Sequence, residues 1–294
     1  MKDYLLITGG AGFVGTNLIK YLLKKTKCKI LSLDNYSSGS ERNHIMDKRL
    51  KYIIGDTKNI SKILKSYKNK IKTIFHFGEF SRIYQSFQKI DSCLESNSIG
   101  SLEVFKFCLD NKIKLVYSAT SAGLGNKNKN LSPYAFTKSK NLEYLENLKK
   151  WFNFKYEVIY FYNVYGPNQI ETGEMATVIG IFENQYLNNK DLTVVRPGHQ
   201  TRKFTHIDDT IRVCFEAWKK NKSCHYSIYY EKNYSILTVA KMFNSKIKFV
   251  PFRRGERYAS VLTKMNLNNK IIQRKGNIDL KKYISNFIKA NKKA

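Results

Sequence analysis

The sequence predicts an α/β fold in which a doubly wound parallel sheet is covered by helices on both faces. Short runs rich in Ile, Leu, Val, Phe and Tyr alternate with longer periodic stretches over the first 120 residues, as in strands joined through helices. The runs are almost continuously apolar, which is typical of strands buried on both faces. A glycine-rich turn follows the first run, and a smaller C-terminal α/β region is expected to complete the molecule.

Six strands are predicted in chain order, with helical patterns in most of the intervals between them. They cover residues 4–8, 29–34, 50–55, 72–77, 114–119 and 156–161. Parallel strands all end at one edge of their sheet, and ligands of such sheets bind at that edge. We therefore expect the functional residues to follow the carboxyl ends of these strands.

The composition excludes some classes of protein and leaves others open. Lys and Arg number 52 and Asp and Glu 23, a net charge of +29, which invites a nucleic-acid or membrane-surface interpretation. The lysines are spread along the chain, as in "LKKTKCKI" and "NKNKN", so a lysine-rich proteome is the simpler explanation. No apolar run approaches the roughly 18 residues of a membrane span, and we identify no signal peptide.

The five cysteines lie far apart and include no CxxC pair or zinc-ligand spacing. They indicate reduced thiols, as in a cytoplasmic protein. The histidines show no shared spacing either. No metal site is therefore assigned, and the expected location is the cytoplasm.

The turn after the first strand carries a dinucleotide-binding pattern. In "GGAGFVG", Gly9, Gly12 and Gly15 lead into a helical pattern, so the backbone can approach a pyrophosphate at the helix amino terminus. Asp34 ends the second strand, where a carboxylate accepts hydrogen bonds from ribose hydroxyls and would repel the extra phosphate of NADP. The pattern predicts NAD. Asp56 follows the next strand and could accept from the adenine amino group or cap a helix.

A second pattern, "SPYAFTKSK", places Tyr134 four residues before Lys138 at a helix that Pro133 would begin. Residues four apart share a helix face, and an ammonium beside a phenol favours the phenolate. Lys138 is therefore expected to lower the pKa of Tyr134 and make it a usable general base. Thr120, at the end of the fifth strand, could hold a substrate oxygen against Tyr134.

Several stretches in this order resemble the extended short-chain dehydrogenase/reductases. They are "ITGGAGFVG", "LDNYSSG", "GDTKN", "FHFGE", "NSIGSLEVF", "VYSATS", "SPYAFTKSK", "FYNVYGPNQ" and "HQTRKFTHIDD". Within that superfamily the chain is similar to the NAD-dependent sugar-nucleotide epimerase/dehydratase family, of the UDP-glucose 4-epimerase type. The likeness extends over nearly the whole chain and implies a Rossmann fold.

The resemblance implies roles for individual residues. Tyr134 would be the catalytic base, Lys138 would also bind the nicotinamide ribose, and Thr120 would replace the usual serine. Cofactor-binding residues would be Gly9, Gly12, Phe13, Val14, Gly15, Asp34, Asn35, Asp56, Thr57, Phe77, Gly78, Asn97, Ser118, Tyr134, Lys138 and Phe161. Substrate-binding residues would be Thr120, Asn163, Arg202 and Arg253, with the two arginines on the substrate pyrophosphate.

Two departures from the family pattern bear on the chemistry. Gly78 and Glu79 stand where two small residues are usual, so Glu79 either points away or meets a basic partner such as Arg82. Ser121 and Ala122 stand where family dehydratases carry an acidic pair. The second departure argues against dehydration and favours reversible oxidation without elimination.

The predicted function is NAD-dependent epimerisation of a nucleotide-activated sugar through a transient keto sugar. A dehydrogenase or reductase with net redox turnover is the alternative, and a non-catalytic nucleotide- or nucleic-acid-binding protein is a third hypothesis. We expect an NAD-binding domain over residues 1–165, rejoined near 204–230, and a mostly substrate-binding domain over 166–294.

The expected partners are a nucleotide-sugar substrate, most simply UDP-linked, and a second copy of the chain. The resemblance implies a homodimer formed by helices containing residues 97–110 and 134–150. Leu142, Leu145 and Leu148 are available for that contact, although burial in the protein's own core explains them as well. Membrane and nucleic-acid partners are not expected.

Overall fold

The computed structural model describes residues 3–120, 132–252 and 271–291. Its centre is a sheet of eight strands in the order β14-β11-β6-β5-β4-β1-β2-β3, all paired in parallel. The eight strands are β1 Tyr4–Thr8, β2 Lys29–Asp34, β3 Leu50–Ile54, β4 Ile71–His76, β5 Lys114–Thr120, β6 Tyr156–Phe161, β11 His225–Tyr229 and β14 Ile271–Lys275. The strand order reverses direction between β1 and β4, which is where doubly wound sheets open a crevice for a ligand.

Helices cover both faces of the sheet because successive side chains of a buried strand point to opposite sides. On β1, Leu6 packs into one core with β5 and β6, whereas Leu5 and Ile7 pack into another. The helices are α1 Phe13–Lys25, α2 Ile60–Ile63, α3 Ile83–Gln88, α4 Ile90–Leu94, α5 Ser101–Asp110, α6 Pro133–Phe152, α7 Val178–Leu187, α8 Ile207–Lys220, α9 Ile236–Lys241 and α10 Leu280–Ala290. No described helix is both long and apolar enough to cross a membrane.

The predicted fold class is confirmed, and the six predicted strands agree with the observed ones. Three have the predicted bounds, two differ by one residue at one end, and β4 is shifted by one residue at both ends. The agreement follows from burial, since the sheet centre excludes water from both faces and so requires the nearly continuous apolar runs that the sequence displays.

A third apolar core lies outside the sheet, in the C-terminal half. It joins α7, α9 and α10 through buried side chains such as Phe182, Val239 and Ile284. Six short strands complete the described structure: β7 Val164–Tyr165, β8 Leu192–Val195, β9 Thr201–Lys203, β10 Thr205–His206, β12 Asn233–Ser235 and β13 Ile247–Val250. The division at residues 165 and 166 stays a prediction, and β11 and β14 bring two late segments into the main sheet.

Candidate active site

A cavity of about 520 Å³ opens at the carboxyl edge of the sheet and extends to the third core. Most of the predicted site residues line it, although they are spread over the chain. Those in the lining are Gly9, Gly12, Phe13, Val14, Gly15, Asp34, Asn35, Asp56, Thr57, Phe77, Gly78, Ser118, Thr120, Tyr134, Lys138, Phe161, Asn163 and Arg202. The structure therefore brings the predicted cofactor and substrate residues into one space.

The glycine turn runs directly from β1 into α1. Gly9 has a positive φ of 68° and donates its N–H to the carbonyl of Leu33 at 2.8 Å. The Gly12 N–H donates to the Gly9 carbonyl at 3.2 Å and closes the turn. Helix α1 begins at the next residue, so its unpaired N–H groups face the cavity end where a phosphate would be stabilised.

The carboxylate of Asp34 is buried beside this turn. One oxygen accepts the N–H of Ala11 at 2.9 Å and the other accepts that of Tyr36 at 2.8 Å. Burial raises the pKa of Asp34, while these backbone N–H groups oppose the rise. Each carboxylate oxygen has a second acceptor position, so Asp34 can both hold the turn and accept hydrogen bonds from a ribose.

Asp56 caps a short 3-10 helix at Thr57–Asn59, with one oxygen accepting the N–H of Lys58 at 3.0 Å. Its other oxygen accepts from the Asn35 amide at 2.8 Å. The cap that the sequence left open as an alternative is therefore present. Asn35 and Asp56 form a polar pair in the cavity lining.

Tyr134 lies in the first turn of α6. The helix begins as the sequence predicts, with Pro133 as its first residue and the Ser132 side chain accepting the N–H of Ala135 at 3.1 Å. The Tyr134 hydroxyl is hydrogen-bonded to the Thr120 side chain, which comes from the end of β5. Two hydroxyls from different elements therefore meet at the cavity wall.

The ionisation of Tyr134 differs from the sequence-based expectation. Burial raises its pKa to about 12, and the negative charge of Glu79 also raises it. The hydrogen bond from Thr120 and the positive charge of Arg82 both lower it. The net shift is upward, whereas the sequence predicted that Lys138 would lower this pKa, and an acidic group lies against that lysine.

That group is Glu79. The Lys138 ammonium forms an ion pair with the Glu79 carboxylate and donates to the Ser118 carbonyl at 2.6 Å. The two charged side chains are 5% and 2% exposed, so water does not screen the pair. Of the two outcomes predicted for Glu79, it meets a basic partner, and that partner is Lys138 rather than Arg82.

Among the described residues, Asn97 is the one predicted site residue that does not line the cavity. Asn97 is fully buried behind the wall, where its amide exchanges hydrogen bonds with the backbone of Phe80 at 2.7 and 2.9 Å and donates to Thr137 at 3.3 Å. It does not line the cavity, and instead fixes the segment after β4 against α6. Arg253 lies outside the described residues.

Backbone carbonyls accept hydrogen bonds from two of the predicted substrate residues in the lining. Asn163 has a φ of 37° and donates to the Lys203 carbonyl at 2.8 Å. Arg202, on β9, donates to the Thr201 carbonyl at 2.9 Å. Phe161 packs edge-on against Phe77, with ring centroids 5.6 Å apart.

Sequence reasoning missed much of the opposite wall. Thr177, Ile179, Phe182, Thr193, Gln200, Phe204 and Ile236 line it from the C-terminal half. Arg82, in the segment after β4, also lines the cavity and donates to the carbonyl of Met175. Arg82 forms no ion pair with any acid among the described residues. Its partners are 93 positions apart or adjacent in sequence, so no local pattern could have identified its role.

Comparison with known proteins supplies a family. The profile described as "Epimerase: NAD dependent epimerase/dehydratase family" matches residues 5–229. The resemblance predicted from the motifs is thereby confirmed.

Individual relatives agree with this match. ADP-L-glycero-D-manno-heptose-6-epimerase of Brachyspira hyodysenteriae is 30% identical over 225 residues, 71% of this chain and 70% of that protein. A putative UDP-glucose 4-epimerase of Methanocaldococcus jannaschii is 24% identical over 229 residues, 73% and 74% of the two chains. The structure of UDP-N-acetylglucosamine 4-epimerase from Methanobrevibacter ruminantium M1, in complex with UDP-N-acetylmuramic acid, has a TM-score of 0.82 and 24% identity. It covers 99% of this chain and 100% of its own.

Proposed function

The chain belongs to the NAD-dependent epimerase/dehydratase family, and we propose that it epimerises a nucleotide-activated sugar, of the UDP-hexose 4-epimerase type, through a transient keto sugar. NAD is the cofactor of this family. One observation carries the proposal: the hydrogen-bonded hydroxyls of Tyr134 and Thr120 line the same cavity as the glycine turn and Asp34. A proton acceptor and a dinucleotide cradle therefore share one enclosed space.

The residues present fit NAD. Gly9 and Gly12 keep side chains out of the approach to the α1 amino terminus, where a pyrophosphate is stabilised. Asp34 offers a carboxylate to two ribose hydroxyls and disfavours an added phosphate. Lys138 would hold the nicotinamide ribose, and Phe77 and Phe161 would flank the nicotinamide.

When bound, NAD supplies the hydride acceptor and, in its oxidised form, a positive charge near the site. Tyr134 would take the proton of a sugar hydroxyl that Thr120 orients by hydrogen bonding. A phenol with a pKa near 12 carries its proton at neutral pH. The hydrogen bond of Thr120 and the charge of Arg82 both favour the phenolate that must accept this proton. Asn163 and Arg202 would bind the substrate pyrophosphate.

Ser121 and Ala122 follow Thr120 in the sequence, so no acidic pair stands directly after it, which favours epimerisation over dehydration. Net oxidation or reduction remains the competing activity. A dehydrogenase accumulates NADH as it turns over, whereas an epimerase returns the hydride to its own intermediate. Inversion at carbon 4 is part of the proposal, since the named relatives include both a 6-epimerase and a putative 4-epimerase.

The test is to incubate the purified protein with NAD and with UDP-, GDP-, dTDP- and ADP-linked sugars in turn. Product stereochemistry would be determined by NMR and NADH by absorbance. We expect an epimer of one nucleotide sugar without stoichiometric NADH, and loss of turnover in Tyr134→Phe with NAD still bound. Stoichiometric NADH would support the dehydrogenase instead, and full activity of Tyr134→Phe would contradict the catalytic assignment.

We also propose that the protein forms a homodimer. Leu145 and Leu148 of α6 are buried in the protein's own core, so they do not provide the contact that the sequence offered. The exposed apolar residues on the same helix are instead Phe136, Tyr144, Trp151 and Phe152, with Trp151 62% exposed. Sedimentation of the native chain and of Trp151→Glu would test whether this face pairs with a second copy.

A further inference from the structure

The buried carboxylate of Glu79 has no role in the chemistry described above, yet it contacts a proposed catalytic residue. It pairs with the Lys138 ammonium in a site from which water is excluded. Lys138 lies one helical turn from Tyr134, where its charge should act on the phenol. A cation that already faces a carboxylate at contact distance exerts little net field on a third group.

The hydrogen-bond directions around Glu79 show that neighbouring hydroxyl groups donate to one of its oxygens. The Thr8 hydroxyl accepts the N–H groups of residues 77–78 at 3.1 and 3.0 Å, so its own hydrogen points to Nδ1 of His76 at 2.7 Å. His76 therefore carries its hydrogen on Nε2 and donates it to the Ser101 hydroxyl at 3.0 Å. Ser101 in turn donates to Oε1 of Glu79 at 2.8 Å.

The Tyr117 hydroxyl, which itself accepts from the Asn141 amide at 3.0 Å, donates to the same oxygen of Glu79 at 3.0 Å. Burial lowers the pKa of His76 to about 4, which agrees with a neutral ring in that chain of hydrogen bonds. Oε1 of Glu79 thus accepts the hydroxyl hydrogens of Ser101 and Tyr117, and Oε2 faces the Lys138 ammonium.

We propose that Glu79 is a positioning residue that holds Lys138 in place and cancels its charge toward Tyr134, so that Thr120 and Arg82 tune the phenol in its stead. The proposal rests on the proposed function only in taking Tyr134 as the base. The charged or titratable groups around that phenol are Glu79, Lys138, Arg82, Cys93 and Tyr117. Of these, Arg82 is the cation without an acidic partner among the described residues.

Four proteins test this: the native chain, Glu79→Gln, Lys138→Met and the double variant. The readout is tyrosinate absorbance as a function of pH, each protein compared with its Tyr134→Phe counterpart so that only this phenol contributes. Glu79→Gln leaves the Lys138 ammonium without its counter-charge and is expected to lower the titration midpoint of Tyr134 by about one to three pH units. Lys138→Met leaves the Glu79 carboxylate without its counter-charge and should raise that midpoint. The double variant should titrate near the native protein.

Coincident titration of the native protein and a folded Glu79→Gln would overturn the proposal. If Glu79→Gln does not fold, the titration midpoint of Tyr134 is compared between Lys138→Met and the double variant. Equal midpoints in those two proteins would also overturn the proposal. Ser101→Ala is the matched control, since it removes one donor from Glu79 without changing any charge. The absorbance needs no sugar substrate, so a shift in a protein that epimerises nothing would uphold the role of Glu79 while the proposed function failed.

Discussion

Gly9 and Gly78 lie so close together that a Cβ on Gly9 would come within 2.8 Å of the Cα of Gly78. This contact packs the turn after β1 against the end of β4, on either side of the point where the strand order reverses. The approach of two backbones leaves space only for hydrogen at these positions. The glycine turn is therefore a packing requirement of the sheet as well as a cradle for phosphate.

Gly9→Ala should consequently destabilise the fold by more than about 2 kcal/mol, since it adds a clash to the strain of a positive φ. Gly173→Ala is the control, because Gly173 has a φ of 78° but nothing within 4 Å of an added Cβ. It should cost only about 1 kcal/mol. Denaturant unfolding of both variants measures the difference, and equal losses would contradict the packing argument.

Asp34→Asn should weaken NAD binding by roughly 10- to 100-fold, the worth of hydrogen bonds to a charged acceptor. It should also reduce the preference for NAD over NADP, because the negative charge is removed. Calorimetric titration with each dinucleotide measures both effects. Asp56→Asn is the comparison: Asp56 caps a short helix, so a comparable loss there would mean that it contacts adenine as well.

Thr120→Val removes the hydrogen bond that lowers the pKa of Tyr134. The phenolate is then less accessible, so the rising limb of the turnover profile should move to higher pH and turnover near neutrality should fall about 10-fold or more. Thr120→Ser keeps a hydroxyl and should retain most of the native profile. A pH profile of Thr120→Val that superimposes on the native one would show that this hydroxyl does not act on the phenol.

His225 is buried, and its Nδ1 lies 3.0 Å from the Tyr160 hydroxyl. Burial lowers its pKa to about 4 in the folded chain from an ordinary 6.5. Between these values the unfolded chain binds a proton that the folded chain does not, so stability is complete above pH 6.5 and declines as the pH falls toward 4. The loss is up to about 3 kcal/mol.

His225→Gln should flatten this acid limb, as measured by the free energy of unfolding between pH 7 and pH 4. More than half of the slope should remain, because burial also lowers the pKa of His76 to about 4 and lowers that of His206. An unchanged slope in His225→Gln would place the acid sensitivity elsewhere.

The amino-acid sequence by itself determined the strands of the main sheet, the glycine turn and the start of α6. Each is encoded locally: apolar runs specify buried strands, glycines permit a positive φ, and a serine followed by proline begins a helix. These signals also placed Asp34, Thr120 and Tyr134 at one edge, because parallel strands end there together.

Only the tertiary structure decided how the charged groups pair. Glu79 and Lys138 are 59 positions apart, and Arg82 reaches Met175 across 93. The sequence showed Glu79 as an unusual residue but could not choose its partner, since the choice depends on where the segment after β4 lies against α6. The family resemblance placed Asn97 at the cofactor, whereas in the structure it holds that segment. Local patterns fix backbone conformation, whereas ion pairs form between whichever side chains the packed elements bring into contact.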